Sequence, residues 1–216
     1  SSAVAESLLR AAERGKEVTA IIELRARFDE AANIHLATRL QEAGAKVAYG
    51  VVGFKAHSKM LMVVRREGDG VRRYCHLGTG NYNQSTAKTY TDFGLLTADP
   101  EVGEDVHNLF QQLTGLGKVR RLNKLVQTPF DLHGLLLDLI EEEIAEAEAG
   151  RPARICAKMN SLVEPEIIQA LYRAAGAGVK VDLIVRGICC LRPGVPGLSE
   201  TIRVRSCVGR FLEHHR

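Results

Sequence analysis

His57 and Lys59 are two residues apart, so on an extended backbone the imidazole and the ammonium point to the same face. Further on, Gly78-Thr79-Gly80-Asn81-Tyr82-Asn83 supplies backbone N–H groups and two side-chain amides. Brought together, these groups suit a negatively charged, tetrahedral group such as phosphate. An imidazole among them can attack phosphorus and carry the group covalently. Taken singly, a His-x-Lys pair reads as surface and a Gly-x-Gly-Asn loop as a turn. The intervening sequence joins them. Met60-Leu61-Met62-Val63-Val64 predicts a buried strand, Gly68-Asp69-Gly70 a turn, and Tyr74-Cys75-His76-Leu77 a returning strand. One hairpin therefore delivers the glycine loop back beside His57.

The elements around this hairpin alternate. Leu8, Leu9 and Ala12 predict a helix over 3–14 that Gly15 ends. A buried strand over 18–24 carries Arg25 and Arg27 at its carboxyl end. Asp29 caps a helix running to Gly44, and 46–52 is a strand leading to His57. After the hairpin, 92–97 reads as a strand and Asp99-Pro100 as a helix start, and 115–131 as a connection. An amphipathic helix with an acidic face follows over 132–149, then a strand over 154–159. Ser161 and Glu164 stand in capping-box spacing before Pro165, which opens a helix. Strands over 179–185, ending at Arg186, and 202–208 precede Arg210-Phe211-Leu212-Glu213-His214. Strands alternating with helices predict an α/β fold, a sheet covered by helices.

The chain also repeats itself. Arg10-Ala11-Ala12, Gly15, Val18 and Ile21-Ile22 match Arg173-Ala174-Ala175, Gly178, Val181 and Ile184-Val185 at a constant offset of 163. His57 and His214 are 157 apart, within a short loop of the same offset. Two similar halves, each leading to a histidine, predict a pseudo-twofold protein with its site between the halves.

Composition narrows the function. At 216 residues the chain can bury a real core, and its net charge of +3 is too small to argue for nucleic-acid binding. Trp is absent, which argues against a base-stacking platform. Five cysteines, none in Cys-x-x-Cys spacing, give neither a zinc site nor a disulfide framework and point to a reducing, cytoplasmic compartment. No segment is apolar enough to span a membrane, so any membrane association is at most peripheral. Both ends read as cut from a longer protein. Arg27 and Arg186 each follow a buried strand at its carboxyl end, where ligands collect in α/β sheets and guanidinium groups can fork onto phosphate oxygens. Tyr90 can stack on a base or lie half-buried. Asp29 and Asp92 read as cap and strand-end residues. No carboxylate cluster can hold a metal unaided, so Mg²⁺ is expected to come bound to phosphates.

These residues resemble the polyphosphate kinase family, first type. The resemblance rests on His57-Ser58-Lys59, on Tyr74-x-His76 through Asn83, on Thr86-Ala87 and on Tyr90-Thr91-Asp92. It rests equally on 26–30, on Leu183-Ile184-Val185-Arg186-Gly187 and on Arg210 through His214, in the family's order. It implies two similar α/β domains of the phospholipase D type, each a mixed sheet covered by helices and both truncated. Residues 1–124 are then part of the first catalytic domain and 125–216 the front of the second. It further implies reversible transfer of the ATP terminal phosphate to inorganic polyphosphate, with ATP/ADP and polyphosphate as partners. The full-length protein is expected to be a homo-oligomer. His57 matches the phosphorylated nucleophile. Tyr90, Arg186 and His214 match ATP-binding positions, with His214 also facing His57 as acid or base. Arg27 matches a position associated with Mg²⁺, where an arginine should touch the metal's phosphate ligands rather than the metal. Lys59 and Asn81 would steady the transferring group's charge.

The sequence departs from phospholipase-D-type motifs in two places. The aspartate expected five residues after Lys59 is Val64, and the second motif reads His214-His215-Arg216, with arginine for lysine. These departures speak against the alternative of a phospholipase-D-like phosphodiesterase. A non-catalytic polyphosphate-binding module is the other reading.

Overall fold

The hydroxyl of Ser2 accepts from the backbone N–H of Ala5 at 3.1 Å, and this cap starts helix α1 (Ala3–Glu13). The computed structural model describes residues 2–23, 30–50, 55–118 and 121–216. After α1 come β1 (Thr19–Ile22), α2 (Glu30–Glu42), β2 (Lys46–Tyr49), β3 (Lys59–Glu67) and β4 (Gly70–Gly78). A 3-10 turn at Thr86–Lys88 leads to β5 (Tyr90–Thr91), β6 (Gly94–Thr97) and α3 (Pro100–Leu113). Then follow α4 (Leu132–Glu148), β7 (Arg154–Met159), α5 (Pro165–Gly176), β8 (Lys180–Val185), β9 (Ile202–Arg205) and β10 (Leu212–Glu213). The chain is a mixed α/β protein. It divides into two compact units, one of Ser1–Lys88 and Phe93–Leu125, the other of Thr89–Asp92 and Val126–Arg216.

In the first unit β1 and β2 pair in parallel, and β3, β4 and β6 form an antiparallel sheet. The register sets Lys59 opposite Gly78 and Glu67 opposite Gly70. The hairpin thus holds the His-x-Lys segment and the start of the glycine loop at one end and its turn at the other. Its apolar run is only partly buried: Val63 and Val64 are 47% and 52% exposed. They lie opposite Tyr74 and Arg73, where the hairpin turns from apolar to charged. Leu9, Ala12, Ile22, Ala37 and Leu40 form the core against which α1 and α2 pack. Asp99 caps α3 by accepting from the N–H of Val102 at 3.0 Å. One turn in, the fully buried Asp105 accepts from the backbone N–H groups of Asn123, Lys124 and Leu125 at 2.7–3.0 Å. Burial pushes its carboxyl up, but these N–H groups and the Asn123 side chain outweigh that and leave it below the usual carboxylate range.

In the second unit β7, β8 and β9 form a parallel sheet with β8 central. Val181, Leu183 and Val185 alternate inward from β8 onto Ala170, Leu171 and Ala174 of α5. The α5 cap differs from the predicted capping box. Pro165 takes the first helical position, so Glu164 itself becomes the cap and accepts from the N–H of Ile167 at 2.7 Å. Ser161 lies instead beside Gly187. A separate parallel pair, β5 with β10, sets Tyr90 opposite Leu212 and Thr91 opposite Glu213. Neither two-residue strand was predicted as such. Residue 92, placed at a strand start by sequence, lies between β5 and β6.

The matched helices end alike. Gly15 and Gly178 have φ of +75° and +94° and donate to Ala12 O and Ala175 O at 2.9 and 3.0 Å. Lys16 and Val179 then donate to Ala11 O and Ala174 O, both at 3.0 Å. The same terminator recurs at the same offset. Among the described residues, no helix is long and apolar enough to cross a membrane.

Candidate functional site

In the first unit, the start of β3 leaves His57 exposed and lets Lys59 reach back, its ammonium donating to the His57 carbonyl at 2.6 Å. His57, Lys59 and Asn81 all line one cavity of about 530 Å³. The hairpin register therefore does bring the glycine loop to the His-x-Lys end. The loop's two amides differ in availability. Asn83 Oδ1 accepts from the N–H of Ser85 at 2.9 Å and of Thr86 at 3.3 Å, turning the chain into the 3-10 segment. Asn81 is exposed at the cavity.

The loop is held from behind. Tyr82 Oη lies 2.6 Å from His76 Nδ1, and burial pushes the Tyr82 phenol up, so it keeps its proton in this hydrogen bond. His76 in turn points its Nε2 edge at a glycine: a Cβ at Gly94 would sit 2.6 Å from His76 Nε2.

In the second unit, β5 and β10 gather Tyr90, Asp92 and His214. His214 Nδ1 is 2.7 Å from Asp92 Oδ1, with side chains 11% and 21% exposed. A carboxylate can only accept, so Nδ1 carries the proton and Nε2 is the working nitrogen. The Tyr90 ring stands beside the imidazole, centroids 5.0 Å apart. Arg186 leaves the end of β8 with Nε and Nη2 on Asn160 Oδ1, at 3.1 and 2.7 Å, and Nη1 on the Glu213 carbonyl at 3.3 Å. Tyr90, Arg186 and His214, far apart in sequence, thus belong to one neighbourhood built on β10. Arg27 lies outside the described residues.

Several residues of this neighbourhood went unnoticed in the sequence. Asp92 reads there as a strand end, yet it fixes the His214 tautomer; its place in Tyr90-Thr91-Asp92 was the available signal. Lys158 on β7 pairs with Glu213 at 2.7 Å, which holds the Glu213 carboxyl below its usual range. Nothing in a lone lysine near a strand end announces that pairing.

Among the described residues, the cluster that could hold a cation is His133 with Glu164 and Glu166. Its one nitrogen and exposed carboxylates, with Glu164 already capping α5, do not fit the octahedral oxygen shell of Mg²⁺. Each unit instead offers donors of the kind that suit phosphate oxygens, an ammonium and an amide in the first and a guanidinium and an imidazole in the second.

The Polyphosphate kinase C-terminal domain 1 profile matches residues 1–119, and the Polyphosphate kinase C-terminal domain 2 profile matches 125–216. Over 215 residues the chain is 60% identical to a polyphosphate kinase of Neisseria meningitidis and 59% to one of Pseudomonas aeruginosa. Each alignment covers 100% of this chain and 31% of the relative, so the chain spans about a third of their length. The crystal structure of polyphosphate kinase from Porphyromonas gingivalis superposes with a TM-score of 0.87 at 38% identity, covering 98% of this chain and 35% of that one.

Proposed function

The chain belongs to the polyphosphate kinase family, and from that premise we propose that, within its full-length protein, it moves the terminal phosphate of ATP reversibly onto inorganic polyphosphate through a phosphohistidine at His57. The observation that carries this reading is the shared cavity of His57, Lys59 and Asn81. A neutral imidazole nitrogen of His57 attacks the terminal phosphorus in line. The N–P bond forms as the bond to the ADP oxygen breaks, and ADP leaves with that electron pair. A terminal oxygen of polyphosphate then attacks the same phosphorus and expels the imidazole. Lys59 and Asn81 face the charge spread over the transferring oxygens.

Tyr90, Arg186 and His214 are assigned to the nucleotide. His214 can present Nε2 to a phosphate as acceptor, or as donor once protonated, because Asp92 occupies Nδ1. Arg186 offers a guanidinium already oriented by Asn160. Arg27 is assigned to phosphate oxygens of the metal–nucleotide complex. Any Mg²⁺ would be held by the nucleotide's own phosphates, where it would neutralise part of their charge. Two phospholipase-D-like domains, 1–124 and 125–216, are the frame of this reading. The five cysteines are all free thiols, which suits a cytoplasmic protein. Homo-oligomerisation and at most peripheral membrane association complete it.

The test uses the full-length protein, wild type and His57→Ala, with Mg²⁺ and terminally labelled ATP. Acid-labile, alkali-stable label in the wild type, lost in the variant together with polyphosphate synthesis, is expected. A folded, ATP-binding wild type that takes up no label overturns the nucleophile. Polyphosphate binding that then survives His57→Ala favours the binding module, and diester hydrolysis favours the phosphodiesterase.

A further inference from the structure

Strand β10 is two residues long, too short to hold a side chain in place by backbone pairing alone. Through it and the two residues that follow, Glu213 and His215 meet Lys158 on one side while His214 faces the other, as alternation on extended backbone gives. The His214 side meets Asp92 and Tyr90. The opposite side meets Lys158, which rises from β7 with its side chain only 16% exposed.

Lys158 Nζ donates to Glu213 Oε2 at 2.7 Å. It lies 2.7 Å from His215 Nε2 and 3.2 Å from Nδ1, so the ammonium stands over the face of the imidazole. The Thr91 hydroxyl donates to the Leu212 carbonyl at 3.3 Å, which leaves its oxygen to accept from His215 Nδ1–H at 3.0 Å. Three backbone contacts complete the fastening: Leu212 N–H to Thr89 O at 2.9 Å, His215 N–H to Thr91 O at 3.0 Å, and Arg186 Nη1 to Glu213 O at 3.3 Å. Lys158 is the charged anchor of these contacts.

We infer that Lys158 is a positioning residue: by holding Glu213 and His215 on one side of β10, it fixes where His214 projects on the other. The kinetic consequence rests on the nucleotide role proposed for His214; the geometric one does not. A group displaced by ~1 Å can lose on the order of 100-fold in rate, so the lysine can matter greatly without touching substrate.

The experiment compares full-length wild type with Lys158→Met and Lys158→Arg, and with His214→Ala as the control that identifies the signal. The first readout is the downfield proton resonance of an imidazole N–H held by a carboxylate, here His214 Nδ1–H on Asp92. The second is the split between kcat and the KM for ATP in polyphosphate synthesis. Lys158→Met is expected to lose the resonance and about 10- to 100-fold in kcat, with a smaller change in KM. Lys158→Arg, which can still donate to Glu213, is expected to keep both. If Lys158→Met does not fold, Glu213→Gln removes the same ion pair with an isosteric side chain and carries the same expectation. A Lys158→Met or Glu213→Gln protein that retains the resonance overturns the inference, whatever its rate. So does equal damage in the Met and Arg variants accompanied by an equal fall in melting temperature. If wild type makes no polyphosphate, the kinase reading fails, and the resonance alone still decides the role of Lys158.

Discussion

Gly94 has no room for a side chain. Its Cβ would meet His76 Nε2 at 2.6 Å, and the ring cannot swing aside while Tyr82 holds Nδ1. Gly94→Ala should therefore cost about 1–3 kcal/mol of stability, as overpacking does, read from the denaturant midpoint. Asp92 belongs to the same scale. Asp92→Asn replaces an obligate acceptor with an amide that can turn an N–H toward Nδ1 and move the ring's proton to Nε2. If His214 serves in proton transfer, kcat should fall by about 100-fold or more in steady-state assays, with little change in melting temperature. The sequence predicted His57, Lys59 and Asn81 as a group because a hairpin's register is local. The partners of His214, Asp92 and Tyr90, come from residues more than 100 positions away, and pairing over that distance leaves no mark in spacing.

Among the elements, helix α3 does more than cover the hairpin. Through Asp105 it holds the three consecutive N–H groups of Asn123, Lys124 and Leu125. Asp105→Ala would leave those donors without their shared acceptor, at about 1–3 kcal/mol for a lost group of this kind. The carboxyl's folded pKa is depressed, so the protonated side chain binds its site less well than the ionised one. Its contribution is thus fully present above the unfolded carboxylate range and is lost as pH falls through the folded value. Wild type should lose stability on acidification below pH ~4 more steeply than Asp105→Asn, measured by denaturation as a function of pH. Helices and longer strands were legible because α1, α3 and α5 carry apolar stripes and caps. Pro165 displaced the predicted α5 cap by setting the first helical position itself. The strands β5 and β10 are too short to show any period.

At the scale of the molecule, the two units have separate apolar clusters, one around Leu9 and Leu40, the other around Val181 and Leu183. In the second unit β8 is paired on both edges, whereas among the described residues β1 is paired on one. Hydrogen exchange should accordingly be slower at Val181, Leu183 and Val185 than at Ala20 and Ile22, as mass spectrometry of the full-length protein can show. The α/β class and the repeat were visible from sequence because both follow from helix–glycine–strand patterns, of which Gly15 and Gly178 are the plainest.

The four residues Thr89–Asp92 are compact with the second unit although chain on both sides belongs to the first. The heritable consequence is that neither unit is a contiguous cassette. A gene split after Leu125 would strand Tyr90, Thr91 and Asp92 on the fragment that does not use them, leaving β10 unpaired and His214 without its carboxylate. The aspartate and the histidine it orients therefore lie on opposite sides of that junction.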